Sequence, residues 1–139
     1  MAKRKQKTYK RNEEEKRIRD KEIRPLLKDL GWWVEVTHGN KYMRGFPDLY
    51  LTHPRHGIRW VDVKVEGDYE YTDAQRDKWP IWHTFGTGIW IMTAGTLEQV
   101  ERLFKAPNWL DYWKPRYGDP FKGSDLEELL SMIDDVELE

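Results

Sequence analysis

The chain has 139 residues, enough for one domain with a proper core and with no sign of a second. Apolar residues make up 38%, charged residues 35% and aromatic residues 14%, so much of the chain is solvated while the large rings can still build an interior. The absence of cysteine excludes a disulfide framework and thiolate metal sites. No segment approaches membrane-spanning length and the basic start lacks the apolar run of a signal peptide, so a cytoplasmic protein with no membrane partner is expected.

The formal net charge of -1 hides a polarity. Lys3, Arg4, Lys5, Lys7, Lys10 and Arg11 make a basic beginning, and Asp125, Glu127, Glu128, Asp134, Asp135, Glu137 and Glu139 an acidic end. Residues 1–11 read as a disordered arm, which either adds affinity for phosphates or merely aids solubility.

From about Asn12 to Leu30 a helical pattern runs, with Ile18, Ile23, Leu26, Leu27 and Leu30 as its apolar stripe. Pro25 inside it predicts a kink or two helices meeting near Arg24, and Gly31 a C-terminal cap. Glu22 lies at the edge of the stripe, where it either faces the sheet or pairs with Arg19 or Lys21. Glu13, Glu14 and Glu15 read as ordinary carboxylates near a helix N-terminus. Trp32 to Thr37 is a strand, closed by His38, Gly39 and Asn40. His38 at the strand end is more often structural than a ligand or base. Lys41 and Arg44, in the loop after that strand, either hold a phosphate backbone or are solvated charges.

Next comes Gly45-Phe46-Pro47-Asp48, then a strand Leu49-Tyr50-Leu51, a turn over 53–57 and a returning strand that contains Trp60-Val61-Asp62-Val63-Lys64. Side chains alternate faces along a strand, so Asp62 and Lys64 share a face with Trp60, and Val61, Val63 and Val65 take the other. An antiparallel pair with that turn brings Asp48 beside Asp62. Burying such charges is costly unless they are paired or coordinate a metal. Thr72 with Gln75 three residues on is a capping box that opens a helix with Trp79, Ile81, Trp82 and Phe85 on its apolar side. Pro80 is expected to bend or end it. Ile89-Trp90-Ile91-Met92 reads as a buried central strand. Thr96 with Gln99 repeats the capping pattern before Val100, Leu103 and Phe104. Residues 107–120 are a loop rich in aromatics, which pack on the sheet more readily than they stack on bases beside Lys114 and Arg116. Ser124 to Met132 reads as an acidic helix whose apolar side needs a partner, in this domain or in a second subunit.

Arg44-Gly45-Phe46-Pro47-Asp48-Leu49, Val61-Asp62-Val63-Lys64 and Tyr71-Thr72-Asp73-Ala74-Gln75, in the order helix, three strands, helix, strand, resemble the PD-(D/E)XK nuclease superfamily. The closer resemblance is to its virus-type replication-repair (VRR-NUC) branch, a grouping similar to Holliday-junction resolvases. It covers residues from about 22 to 100, with Asp62 where the branch more often has glutamate and Pro25 disturbing the first helix. The resemblance implies an α/β fold with a restriction-endonuclease-like core, a mixed sheet of about four strands flanked by helices. The core is expected over 12–106, with 107–139 packed on it or on a second subunit.

The resemblance further implies Mg²⁺ or Mn²⁺ held by Asp48, Asp62 and the backbone carbonyl of Val63, with Glu22 assisting. Lys64 would position the attacking water or stabilise charge on the phosphate, and Gln75 would orient Lys64 or a phosphate. Lys41, Arg44 and the arm residues Lys3, Arg4 and Lys5 would bind DNA. The implied activity is metal-dependent endonucleolytic hydrolysis of DNA, selective for branched or flapped structures. An exonuclease, a restriction-type nuclease and a non-catalytic nucleic-acid-binding protein are the alternatives, and a homodimer is expected if both strands of a junction are cut.

Overall fold

The computed structural model describes residues 2–37, 41–113 and 118–120 of the 139. His38 and residues 121–139, where an acidic helix is expected, lie outside the described residues, as do the side chains of Lys3, Arg4, Lys5 and Lys41.

The fold is mixed α/β, a four-stranded mixed sheet flanked by helices. Helix α1 (Ala2–Arg17) leads through a π-helical turn (Ile18–Ile23) into α2 (Arg24–Asp29). Strands β1 (Trp33–Val36), β2 (Leu49–His53) and β3 (Gly57–Val63) form an antiparallel meander. Helix α3 (Asp73–Thr84) then crosses over to β4 (Trp90–Met92), which pairs parallel with β3. The strand order is β1-β2-β3-β4, so β1 and β4 are the edges. Short helices α4 (Leu97–Val100) and α5 (Trp109–Trp113) complete the described chain.

The N-terminal region departs from expectation in two ways, at the start of the helix and at Leu30. The helix begins at Ala2 and not near Asn12, so residues 2–11 are helical where a disordered arm was expected. Arg11 ties this segment down through Glu70 at 3.3 Å and Asp68 at 3.8 Å, contacts far apart in sequence. Pro25 marks the junction expected near Arg24, where the π turn meets α2. It sits at the start of α2, and the preceding π turn, in which the amide of Arg24 reaches the carbonyl of Arg19 five residues back, widens the backbone just where proline would crowd a regular turn. Leu30 is exposed at 41%, because the helix ends there in a Schellman motif: Trp32 N–H donates to Leu27 O at 3.0 Å and Gly31 N–H to Lys28 O at 3.1 Å, with Gly31 at φ +91°.

Two apolar clusters sandwich the sheet. Ile18, Ile23 and Leu27 from the N-terminal helices bury against Leu49, Leu51, Val61 and Val63. On the opposite face Trp79 packs with Ile89, Ile91, Trp109 and Trp113, so the aromatics of 109–113 go inward. Helix α3 continues past Pro80 to Thr84, and its Ile81 and the capping residue Phe85 stay exposed. The Thr96 hydroxyl caps Gln99 N–H, but the Gln99 side chain turns to the amide of Thr93, so only half of the second capping box forms.

Candidate functional site

The register of β2 on β3 pairs Leu49 with Val61, which sets Asp48 across from Asp62 on the sheet face opposite Leu49, Leu51, Val61 and Val63. The two carboxylates are laced to each other's strands. Asp48 N–H donates to Asp62 Oδ1 at 3.2 Å, and Val63 N–H donates to Asp48 Oδ2 at 2.8 Å. Pro47 O accepts from the Thr37 hydroxyl and Asp48 O from Thr37 N–H at 3.0 Å, which pins the Pro-Asp peptide to the end of β1.

Gly45 explains how that peptide is delivered. Its φ of +81° favours glycine, and a Cβ there would lie 2.7 Å from the carbonyl oxygen of Ala74 in the first turn of α3. Trp79 Nε1–H closes the contact by donating to Gly45 O at 2.6 Å.

Lys64 is 3% exposed and Asp62 1%. The ammonium has three protons and three oxygen acceptors: Asp62 Oδ2 at 3.0 Å, Gln75 Oε1 at 3.1 Å and Glu70 O at 3.0 Å. It also lies 4.9 Å from the centre of the Tyr71 ring. Gln75 links the group to α3. Its Nε2–H donates to Asp62 Oδ1 at 3.3 Å, while its Oε1 also accepts from Thr72 N–H at 3.2 Å and its own N–H donates to the Thr72 hydroxyl at 3.1 Å. One side chain therefore completes the capping box and orients the buried ion pair.

Asp48, Asp62, Lys64 and Gln75 are thus brought together as expected; Glu22 is not. Its Oε1 accepts from Gly95 N–H at 3.2 Å and its Oε2 from Arg17 at 2.8 Å, so it clasps the helix to the turn after β4. A Cβ on Gly95 would lie 2.3 Å from the Glu22 backbone, so that contact is tight. Glu15 is the acidic residue that borders the site. With Asn12, Lys16, Arg19 and Asp48 it lines a cavity of about 270 Å³. Two helical turns of ordinary pitch would place Glu15 and Glu22 on one face, but a π turn takes up an extra residue and rotates the downstream helix by roughly 100°. The signal was Pro25, whose crowding calls for such a widened turn upstream. Arg44 is exposed in the loop before Pro47.

The charges interact strongly. Burial pushes the Asp48 carboxyl well up, and the neighbouring Asp62 adds to the rise against the Val63 amide and Lys64. Burial lifts Glu15 to about 7, with Lys64 opposing the rise and Asp62 adding to it. For Lys64 burial works downward, but Asp62 and Glu15 outweigh it and the net direction is up, so the ammonium stays charged.

Among the described residues no group of three His, Cys, Asp or Glu side chains is set to hold a metal ion by itself. Asp48 and Asp62 offer hard oxygen donors side by side, whose mutual repulsion a dication would relieve. Mg²⁺ commonly keeps several waters and takes only one or two carboxylates, which suits such a pair. No helix among the described residues is long and apolar enough to cross a membrane. No family model, curated protein or solved structure matches this chain.

Proposed function

We propose that the protein is a metal-dependent phosphodiester hydrolase acting on DNA, an endonuclease of the restriction-endonuclease-like type. The observation that supports this best is the buried Asp48–Asp62–Lys64–Gln75 network, with Glu15 across a cavity from Asp48. A buried ion pair contributes little to stability compared with an apolar replacement, so four polar groups gathered where the sheet meets the start of α3 are best accounted for by chemistry.

Asp48, Asp62 and the Val63 carbonyl would hold Mg²⁺ or Mn²⁺. When bound, the cation supplies Lewis-acid stabilisation of charge on the phosphate. Lys64, oriented by Gln75, directs a fixed positive charge at the same region, where little reorganisation is needed as charge develops. Glu15 is suited to exchange a proton with water in the cavity, since its carboxyl titrates near neutral pH. Arg44, with the basic residues Lys3, Arg4, Lys5 and Lys41, would carry phosphate contacts, and a dimer would be needed to cut both strands of a junction.

A non-catalytic nucleic-acid-binding protein is the second reading. One observation favours it: all three protons of Lys64 are already taken by protein acceptors. Nicking of a supercoiled plasmid in Mg²⁺ or Mn²⁺ separates the two. We expect nicking by the native chain and its loss in Asp62→Ala and Lys64→Ala; activity that survives both substitutions would sink the proposal, and folded protein that binds DNA without cutting it would favour the second reading.

A further inference from the structure

Among the described residues, the sheet face that carries Asp48 and Asp62 is only half covered. Going away from that pair, the next row across the strands is Glu35, Tyr50 and Trp60, and the row after it is Trp33, Thr52 and Ile58. Rows on one face are about 6.7 Å apart, so Trp33 lies roughly 13 Å along the sheet from the level of Asp48. Phe46 and Trp82 pack edge-on against Trp60 at 5.9 and 5.2 Å and shelter that corner. Beyond it Trp33 is 64% exposed and Ile58 52%, while Tyr50 is half-buried against Trp60.

We propose that this surface is a track for a single-stranded segment of the nucleic-acid substrate, with unstacked bases lying on Trp33 and Tyr50. The proposal rests on the nuclease function proposed for the carboxylate site and names the substrate class that the site would take. Three arguments select this occupant. The first is continuity: the track runs on the same face as the carboxylate pair, so a strand on the rings leads its backbone toward Asp48, the partly exposed member of that pair.

The second is charge. Lys28, exposed, lines two adjoining hollows of about 500 and 540 Å³ that also share Trp32 and Trp33, and Lys78 lies 4.5 Å over the Phe46 ring at the other end. A cation thus stands beside each end of the aromatic surface, Lys28 reaching the edge strand from α2 in a hollow where Arg24 is paired with Asp20. Glu35, which accepts from Trp33 Nε1–H at 3.2 Å, repels phosphates from its middle but not the uncharged faces of bases. The third is size. Three strands about 4.8 Å apart and two rows deep present on the order of 200 Å². A stable protein interface needs about 800 Å² per partner. Two or three stacked bases fill the surface, and a second copy of the chain does not.

The test is fluorescence anisotropy with a labelled oligothymidylate and, in parallel, a duplex, each in EDTA and in Mg²⁺, using the native chain, Trp33→Ala and Trp33→Phe. We expect Trp33→Ala to bind the single strand roughly 5- to 150-fold more weakly, the range that loss of one base–aromatic stack gives. Trp33→Phe should stay close to the native chain, and duplex binding should not change. Circular dichroism melts confirm that both variants fold, and the Phe variant keeps the test sharp if the Ala variant does not. Native single-strand affinity in Trp33→Ala, equal loss on single strand and duplex, or loss of a dimer by light scattering with DNA binding intact would each overturn the track. If the native chain nicks plasmid while Trp33→Ala binds the single strand normally, only the track falls. If the native chain binds neither oligonucleotide, the nuclease reading falls with it.

Discussion

Glu15→Gln isolates the electrostatic cost of the site. The Glu15 carboxyl titrates at about 7 in the folded chain against an ordinary 4.5, chiefly because it is buried. At about 1.4 kcal/mol per pH unit the gap corresponds to about 3 kcal/mol, and the partial exposure of the residue reduces this to about 1–2 kcal/mol. The sign is set by proton uptake. Between 4.5 and 7 the folded chain holds a proton that the unfolded chain has lost, so the stability owed to neutral Glu15 is complete below 4.5 and disappears as pH rises through 7. Glutamine never ionises, so the variant gains on the native chain across that window and the difference levels off above it. Urea unfolding from about pH 4 to about pH 9 for both proteins reads this directly. Parallel stability curves across the window would refute the placement of Glu15 beside Asp48 and the buried pair. If the site takes a dication, Mg²⁺ should stabilise the native chain most above neutral pH, and Glu15→Gln less.

The same geometry sets two further outcomes. Lys64→Met leaves Asp62 buried without its cation and should cost about 3–5 kcal/mol in urea unfolding near neutral pH, while Asp62→Asn added to it should recover much of the loss; additive costs would show that the two are not coupled. Gly45→Ala combines a left-handed backbone with a 2.7 Å approach to Ala74 O and should destabilise by at least about 2 kcal/mol, measured by thermal unfolding; an unchanged midpoint would refute the close packing of the Pro-Asp loop on α3.

Much of the site was legible because it is built from short-range rules. The period of two along β2 and β3 sends Val61 and Val63 to the core and Asp62 and Lys64 to the other face whatever surrounds them, and the 53–57 turn sets the register that pairs Asp48 with Asp62. The Thr72–Gln75 box forms within one helical turn. These features depend on residues close in sequence, so the chain by itself determined the order of elements, the faces of the hairpin and the position of Gln75.

Long-range contacts decided the rest. That α1 reaches back to Ala2 agrees with the helix-forming Ala, Lys, Arg and Gln residues of the segment, while its anchoring through Arg11 to Asp68 and Glu70 is a tertiary contact. Which glutamate borders the site depends on the phase of a helix widened by a π turn ahead of Pro25, with Glu22 drawn off to Gly95. The third acceptor of Lys64 is the backbone carbonyl of Glu70, invisible to a reading of side chains. Among the described residues, α3 and α5 pack over one end of this sheet face and leave the stretch from Trp60 to Trp33 open. A strand's alternation is local, but the angle of a helix, the carbonyl that meets an ammonium and the extent of a covered face are set by packing among distant parts of the chain.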